Sequence, residues 1–215
     1  MGANRAALSA QLFDAIAVHD TDRVRQLLLE GADPNGVQAQ PPQHTPLRAA
    51  VEELCDGGST QMVALLLEQG ADANGWDGQH QMTPLLAAVF DRENQAVQLL
   101  LQAGADPNVH SDEGQSALLS SVEANDLEMT AALLRHGATR SMNEWSGLQC
   151  LTPLGQAARD LNVPMIKLLL DAGADPGAID EDGRTAIDRL PAVDSGNARD
   201  RIAAETLLHN NRRQR

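Results

Sequence analysis

The sequence predicts an all-α solenoid of about six stacked helix-turn-helix units, and three observations carry that prediction. A Leu-Leu-x-x-Gly segment recurs along the chain, a Thr-Pro-Leu segment recurs in phase with it, and the core has to be built almost without aromatic rings. The first segment occurs as Leu27-Leu28-Leu29-Glu30-Gly31-Ala32-Asp33-Pro34-Asn35, as Leu66-Leu67-Glu68-Gln69-Gly70-Ala71-Asp72-Ala73-Asn74 and as Leu100-Leu101-Gln102-Ala103-Gly104-Ala105-Asp106-Pro107-Asn108. Weaker copies run from Leu133 to Ser141 and from Leu169 to Gly177. The second occurs as Thr45-Pro46-Leu47, Thr83-Pro84-Leu85, Ser116-Ala117-Leu118, Thr152-Pro153-Leu154 and Thr185-Ala186-Ile187. In three copies the following Gly lies 21 residues after the Thr or Ser, at Gly104, Gly137 and Gly173. Self-similarity at this period is the signature of a repeat architecture. Aromatics make up only 2% of the chain, with no Tyr, so Leu, Ala, Val, Ile and Met must fill the core, and helices suit them.

Each segment has a physical task. Thr or Ser caps a helix N-terminus, and Pro fits the first helical position, whose N–H would be unpaired in any case. The Leu pair marks the buried face of a second helix, and the Gly that follows supplies its left-handed C-terminal cap. From that Gly to the next Thr or Ser the chain advances 12 to 15 residues rich in Asp, Asn, Pro, Gly and Gln, which is turn chemistry. A helix pair with apolar residues on both sides buries them only by stacking on neighbours. The units are expected at residues 9–36, 45–75, 83–109, 116–142, 152–178 and 185–211, all within one domain spanning residues 1–215. The second carries four extra residues between its helices around Cys55-Asp56-Gly57-Gly58-Ser59. The last is interrupted by Pro191 and is expected to end in a capping helix around Arg201 to Leu208, followed by the basic tail Arg212-Arg213-Gln214-Arg215.

With two phased motifs recurring five times each, the chain resembles the ankyrin-repeat family from about Ser9 to Asn211. The resemblance implies helix-turn-helix repeats with projecting hairpin-like fingers and a concave face, made of fingers and first helices, that binds proteins. Departures are specific. The family's His after Thr-Pro-Leu is replaced by Arg48, Leu86, Leu119, Gly155 and Asp188, so hydrogen bonding at the finger bases is expected to be unusual. The family's Gly two residues before the Thr or Ser survives at Gly114 and Gly183, whereas Gln43, Gln81 and Cys150 replace it elsewhere and predict irregular fingers. The finger from Gly137 to Thr152 is three residues longer than the shortest.

Charge and composition narrow the function. A net charge of −14 opposes binding to nucleic acid, which needs dense Lys and Arg, and favours a basic protein partner. The N-terminal segment lacks a signal-peptide core, Ala6 stands where a myristoylation motif needs Ser or Thr, and no run approaches a membrane span, so a cytoplasmic protein without membrane contact is expected. Lys167 is the sole lysine, a bias of GC-rich coding sequence, and we expect a bacterial source. Phosphate loops, nucleophile elbows and zinc spacings are missing, so neither catalysis nor a cofactor is expected. Cys55 and Cys150 read as two free thiols. Asp112-Glu113 and Asp180-Glu181-Asp182 lack the ligand ladder of a calcium loop and read as solvated turn carboxylates. His44, His80 and His110 fall on successive fingers at unequal offsets and read as exposed polar residues rather than metal ligands.

Trp76 and Trp145 stand out because both fall in polar fingers, where packing does not demand a large ring, and Trp is the residue type most enriched at binding hot spots. The family's concave-face positions, carried over by offset from each Thr or Ser, select Glu52, Glu53, His80, Met82, Phe90, Asp91, Asp112, Glu113, Glu123, Asp160, Glu181 and Asp182. These residues and the two tryptophans form the expected partner-binding set: apolar anchors in an acidic field. The sharpest expectation is inhibition of a toxin or enzyme by an immunity protein. The alternative is an effector or assembly scaffold acting on a foreign protein.

Overall fold

The computed structural model describes residues 2–38, 43–76, 82–194 and 196–212, and divides them between two units, Met1–Asp112 and Glu113–Arg215. Each unit is a stack of three helix pairs. In the first, α1 (Gly2–Ala17) pairs with α2 (Thr21–Leu29), α3 (Pro46–Glu52) with α4 (Thr60–Glu68), and α5 (Pro84–Phe90) with α6 (Asn94–Gln102). First helices stack on first helices, α1 on α3 and α3 on α5, and second helices on second, α2 on α4 and α4 on α6. The other unit repeats the scheme with α7 (Ala117–Glu123) and α8 (Leu127–Arg135), α9 (Pro153–Arg159) and α10 (Val163–Asp171), and α11 (Ala186–Arg189) and α12 (Ala198–Arg212). No strand occurs among the described residues. The expected all-α repeat fold is therefore present, with α1 beginning earlier than Ser9 because the Ala-rich N-terminal segment is a strong helix former.

The caps fall where the sequence places them. Thr45, Thr83, Ser116 and Thr152 each accept a hydrogen bond from the backbone N–H three residues on, at 3.0–3.2 Å. Pro46, Pro84 and Pro153 open their helices. Each closing glycine, at Gly31, Gly70, Gly104, Gly137 and Gly173, has φ between 86° and 99°, as a left-handed cap requires. Leu27, Leu66, Leu100, Leu133 and Leu169 are completely buried, whereas Leu29, third in its triplet, is 77% exposed.

Asparagines two residues after the recurring turn Asp tie successive repeats together. Asn35 donates through Nδ2 to the Gly70 carbonyl (3.0 Å) and accepts from the Asp72 N–H (2.7 Å), and Asn74 does the same to Gly104 (3.0 Å) and Asp106 (2.8 Å). In the longer finger the corresponding acceptor is Asn143, which receives the Asp175 N–H at 2.8 Å. Asn143 lies six positions after its Gly and Asn74 four after its own, so part of the insertion sits before the tie and the tie is kept.

Left-handed residues other than glycine occur in two settings. The turn between the helices of a pair uses a left-handed residue at His19, Arg92, Asn125 and Leu161, with φ of 51–60°, and no glycine marks these sites. Cys150, expected to make its finger irregular, adopts φ 51° and so reproduces the left-handed conformation of its counterparts Gly114 (74°) and Gly183 (72°). The finger is closed by the Ser146 N–H donating to the Leu151 carbonyl at 3.1 Å, one residue farther along than the Asp180 to Arg184 closure of the last finger, and it carries a second left-handed residue at Gly147, φ 69°. Leu161→Gly and Cys150→Gly are each expected to raise unfolding free energy by about 0.5–1 kcal/mol, relief of left-handed strain outweighing the added chain entropy. Equilibrium urea titration measures this.

Candidate protein-binding face

The four-residue insertion of the second repeat builds the most featured surface of the first unit. After α3 the chain continues as a 3-10 turn, Glu53–Asp56, closed by Gly57 at φ 96°, before Ser59 caps α4. This turn raises Glu53, Cys55 and Asp56 as one wall of an open groove of about 500 Å³. Arg48 and Glu52 of α3 continue that wall. Met82, Ala87, Phe90 and Asp91, from α5 and its flanks, complete the lining. Five expected binding residues, Glu52, Glu53, Met82, Phe90 and Asp91, therefore share one groove.

Its charges are not equivalent. Glu52 takes Arg48 Nη2 at 2.8 Å on one oxygen and His44 Nδ1 at 2.7 Å on the other, while Glu53 pairs with His19 Nε2 at 2.9 Å. His44, expected to be an exposed polar residue, is instead buried, because Glu52 offers it a partner at the finger base. Asp56 and Asp91 meet no cation among the described residues, and both are exposed. Their field is felt by the exposed Cys55, whose thiol is held above its ordinary pKa by desolvation and by the charges of Asp91, Glu93 and Asp56. Arg48 occupies the position of the family's His; it is only 8% exposed, and its Nε and Nη1 have no acceptor. Sequence reading passed over Arg48, Cys55 and Asp56 as site residues; the insertion was the signal that could have found them.

Trp76 is 53% exposed and lines a second, mainly apolar groove of about 420 Å³ with Thr83, Val109 and His110. Asp112 is exposed and lines neither groove, and His80 lies outside the described residues. In the second unit Trp145 is 49% exposed on a finger that also displays Leu148 at 86%. Its base is fixed by the buried Ser146, whose hydroxyl meets that of Ser116 at 3.0 Å, and by the Gly147 N–H donating to the Gly114 carbonyl at 3.0 Å. A wide ring is thus held on an anchored loop.

The remaining acids of the second unit sit in diverse settings. Glu113 is exposed, Glu123 accepts from Gln115 Nε2 at 2.7 Å, and Asp160 accepts from Gln156 Nε2 at 2.5 Å. Glu181 accepts from the Cys150 thiol, and that bond, with desolvation and charge, raises the thiol's pKa. Asp182 pairs with Arg189 Nη2 at 2.6 Å. Asp180, expected to be a solvated turn carboxylate, is buried: it takes Arg189 Nε at 2.5 Å and the N–H groups of Asp182 and Arg184 at 3.0 Å. Burial alone would raise its pKa, but Arg189 and the two N–H donors outweigh it and leave the pKa lowered. Asp180 thus staples the last finger to α11. No group of three or more potential metal ligands occurs among the described residues, and none of their helices is long and apolar enough to cross a membrane.

A family model for ankyrin repeats in three copies matches residues 12–111 and again 91–180. The chain belongs to the ankyrin-repeat family. Among curated relatives of this ankyrin-repeat chain, a fowlpox virus ankyrin-repeat protein is 32% identical over 155 residues, covering 72% of the chain and 33% of the viral protein. Bovine mitochondrial disaggregase is 31% identical over 147 residues, covering 65% and 20%. The chain thus spans a third or less of the length of these relatives. An ankyrin repeat domain from Acinetobacter baumannii AYE superposes with TM-score 0.76 at 24% identity, covering 93% of this chain and 96% of that one. A chain from the complex of a Bdellovibrio bacteriovorus predatory endopeptidase with its immunity protein superposes with TM-score 0.66 at 21% identity, covering 95% and 97%. At these identities the structures establish the fold alone. Ankyrin repeats are protein-protein interaction modules, typically binding scaffolds rather than enzymes.

Proposed function

We propose that this ankyrin-repeat chain binds a basic protein partner and acts as an inhibitor of it, in the manner of a bacterial immunity protein working in the cytoplasm. The observation that carries the reading is the groove of the first unit, where one arginine stands among four carboxylates and an exposed aromatic ring. A net charge of −14 extends the same sign over the rest of the chain and opposes nucleic acid as the partner. The apolar anchors are Phe90, Met82, Trp76 and Trp145, three of them rings that are 39–53% exposed. Inhibition, rather than mere docking, is supported by analogy with the immunity-protein complex whose fold this chain shares. An acidic scaffold suits enzymes that handle anionic substrates, because their active sites are basic. Affinity isolation from the native cell, followed by an activity assay of the captured protein with and without this chain, tests the reading. A captured basic enzyme or toxin that loses activity in the complex supports it, and a captured acidic protein overturns it.

A further inference from the structure

The groove between α3 and α5 has a composition that specifies its occupant more closely than net charge does. Its lining divides into a pair of acids tied to other side chains, a pair without such a tie among the described residues, and an apolar strip. Glu52 is held by Arg48 and His44 and Glu53 by His19, so the lining carboxylates without such a partner among the described residues are Asp56 and Asp91. These stand on different elements, Asp56 at the end of the 3-10 turn and Asp91 at the cap of α5, both lining the groove. A cation received there meets carboxylates from two elements. Met82, Ala87 and Phe90 supply an apolar strip beside them, suited to a hydrocarbon stem, and Phe90 offers part of a ring face. Arg48 lines the same groove, but its Nη2 is committed to Glu52 at 2.8 Å and its Nε and Nη1 are closed off from solvent, so it leaves the floor to the acids and the apolar strip.

We propose that this groove receives one arginine of an extended partner segment, its guanidinium stacked on Phe90 between Asp56 and Asp91. The inference rests on the reading of a basic partner and assigns it a point of attachment. Arginine fits better than lysine because a planar guanidinium stacks on a ring and presents donors on several edges to separate carboxylates, whereas an ammonium is a compact and more strongly hydrated charge.

The test uses the full chain, nitrogen-15 labelled, titrated with N-acetyl-arginine amide, N-acetyl-lysine amide and the neutral isostere N-acetyl-citrulline amide. The arginine probe is expected to shift the amides of Cys55, Phe90 and Asp91 saturably. The lysine probe should bind these residues several-fold more weakly, and the citrulline probe should leave them unchanged. Asp56→Asn with Asp91→Asn should weaken the arginine probe about tenfold, while the single control Asp112→Asn changes it less than about twofold. Phe90→Leu, which keeps apolar bulk and removes the ring, should erase the preference for arginine over lysine. Equal shifts from citrulline, equal affinities for lysine and arginine, or indifference to the double substitution would each overturn the proposal. If the arginine probe instead shifts only residues around other acids, such as Glu113 or Glu181, this site is overturned while the reading of a basic partner stands. If the partner is captured and proves acidic, that reading falls first, whatever the probes do.

Discussion

Leu66→Ala and Leu100→Ala are each expected to lower unfolding free energy by about 2–5 kcal/mol, the cost of deleting buried methyl groups and leaving a cavity. Both side chains are completely buried, one in α4 and the other in α6, and these helices stack on each other. In a linear array each repeat is stabilised by its neighbours, so either cavity should loosen the adjoining repeats as well, and hydrogen exchange should show lost protection on both flanks. Leu29→Ala supplies the internal control. Leu29 is 77% exposed, and its loss should fall within about 0.5 kcal/mol of zero. Losses at Leu66 and Leu100 as small as that would mean that the leucine pairs do not form the inter-repeat core.

The second large effect concerns the fingers. Once a partner is in hand, Trp145→Ala or Trp76→Ala should weaken its binding by about 2 kcal/mol, or roughly thirtyfold, if that ring fills a pocket. The change should appear in the dissociation rate, since buried anchors act after encounter. The fold should survive both substitutions, because each ring is about half exposed: 53% for Trp76 and 49% for Trp145. Unchanged dissociation for both variants, measured by surface plasmon resonance, would place the interface elsewhere.

Helix starts and stops were legible because their causes are local. A Thr or Ser whose oxygen caps the N–H three residues on, a Pro at the first position and a Gly at the left-handed cap all act within one turn of the helix they delimit. Less legible were sites where tertiary contact overrides residue type. Leu161 and Arg92 take left-handed turns that sequence would give to glycine, because the two helices they join fix the path. His44 and Asp180 are polar finger residues that looked solvated, yet each is buried against a partner on the helix that follows its finger, Glu52 and Arg189. Asn143 escaped notice because the insertion moved it out of phase.

The candidate site was partly legible. Five of the expected residues converge on the groove, because equivalent positions of stacked first helices adjoin. Which acids lack a partner could not be read, since the contacts of Glu52 and Glu53 run to His44, Arg48 and His19. Charge reversal at Glu52 and Glu53 would set a new cation against those partners and damage the fold. Asp56 and Asp91 are the informative positions for charge.

The central claim is that opposite charge brings the partner onto this face, and the association rate as a function of salt tests it most directly. Screening acts over about 8 Å at physiological ionic strength, so stopped-flow association with the isolated partner should slow steeply as salt rises. With Asp56→Lys and Asp91→Lys together, association should be slower at low salt and its salt dependence flatter, with dissociation far less altered. An association rate that is indifferent to salt, and the same in the variant as in the natural sequence, would contradict the account.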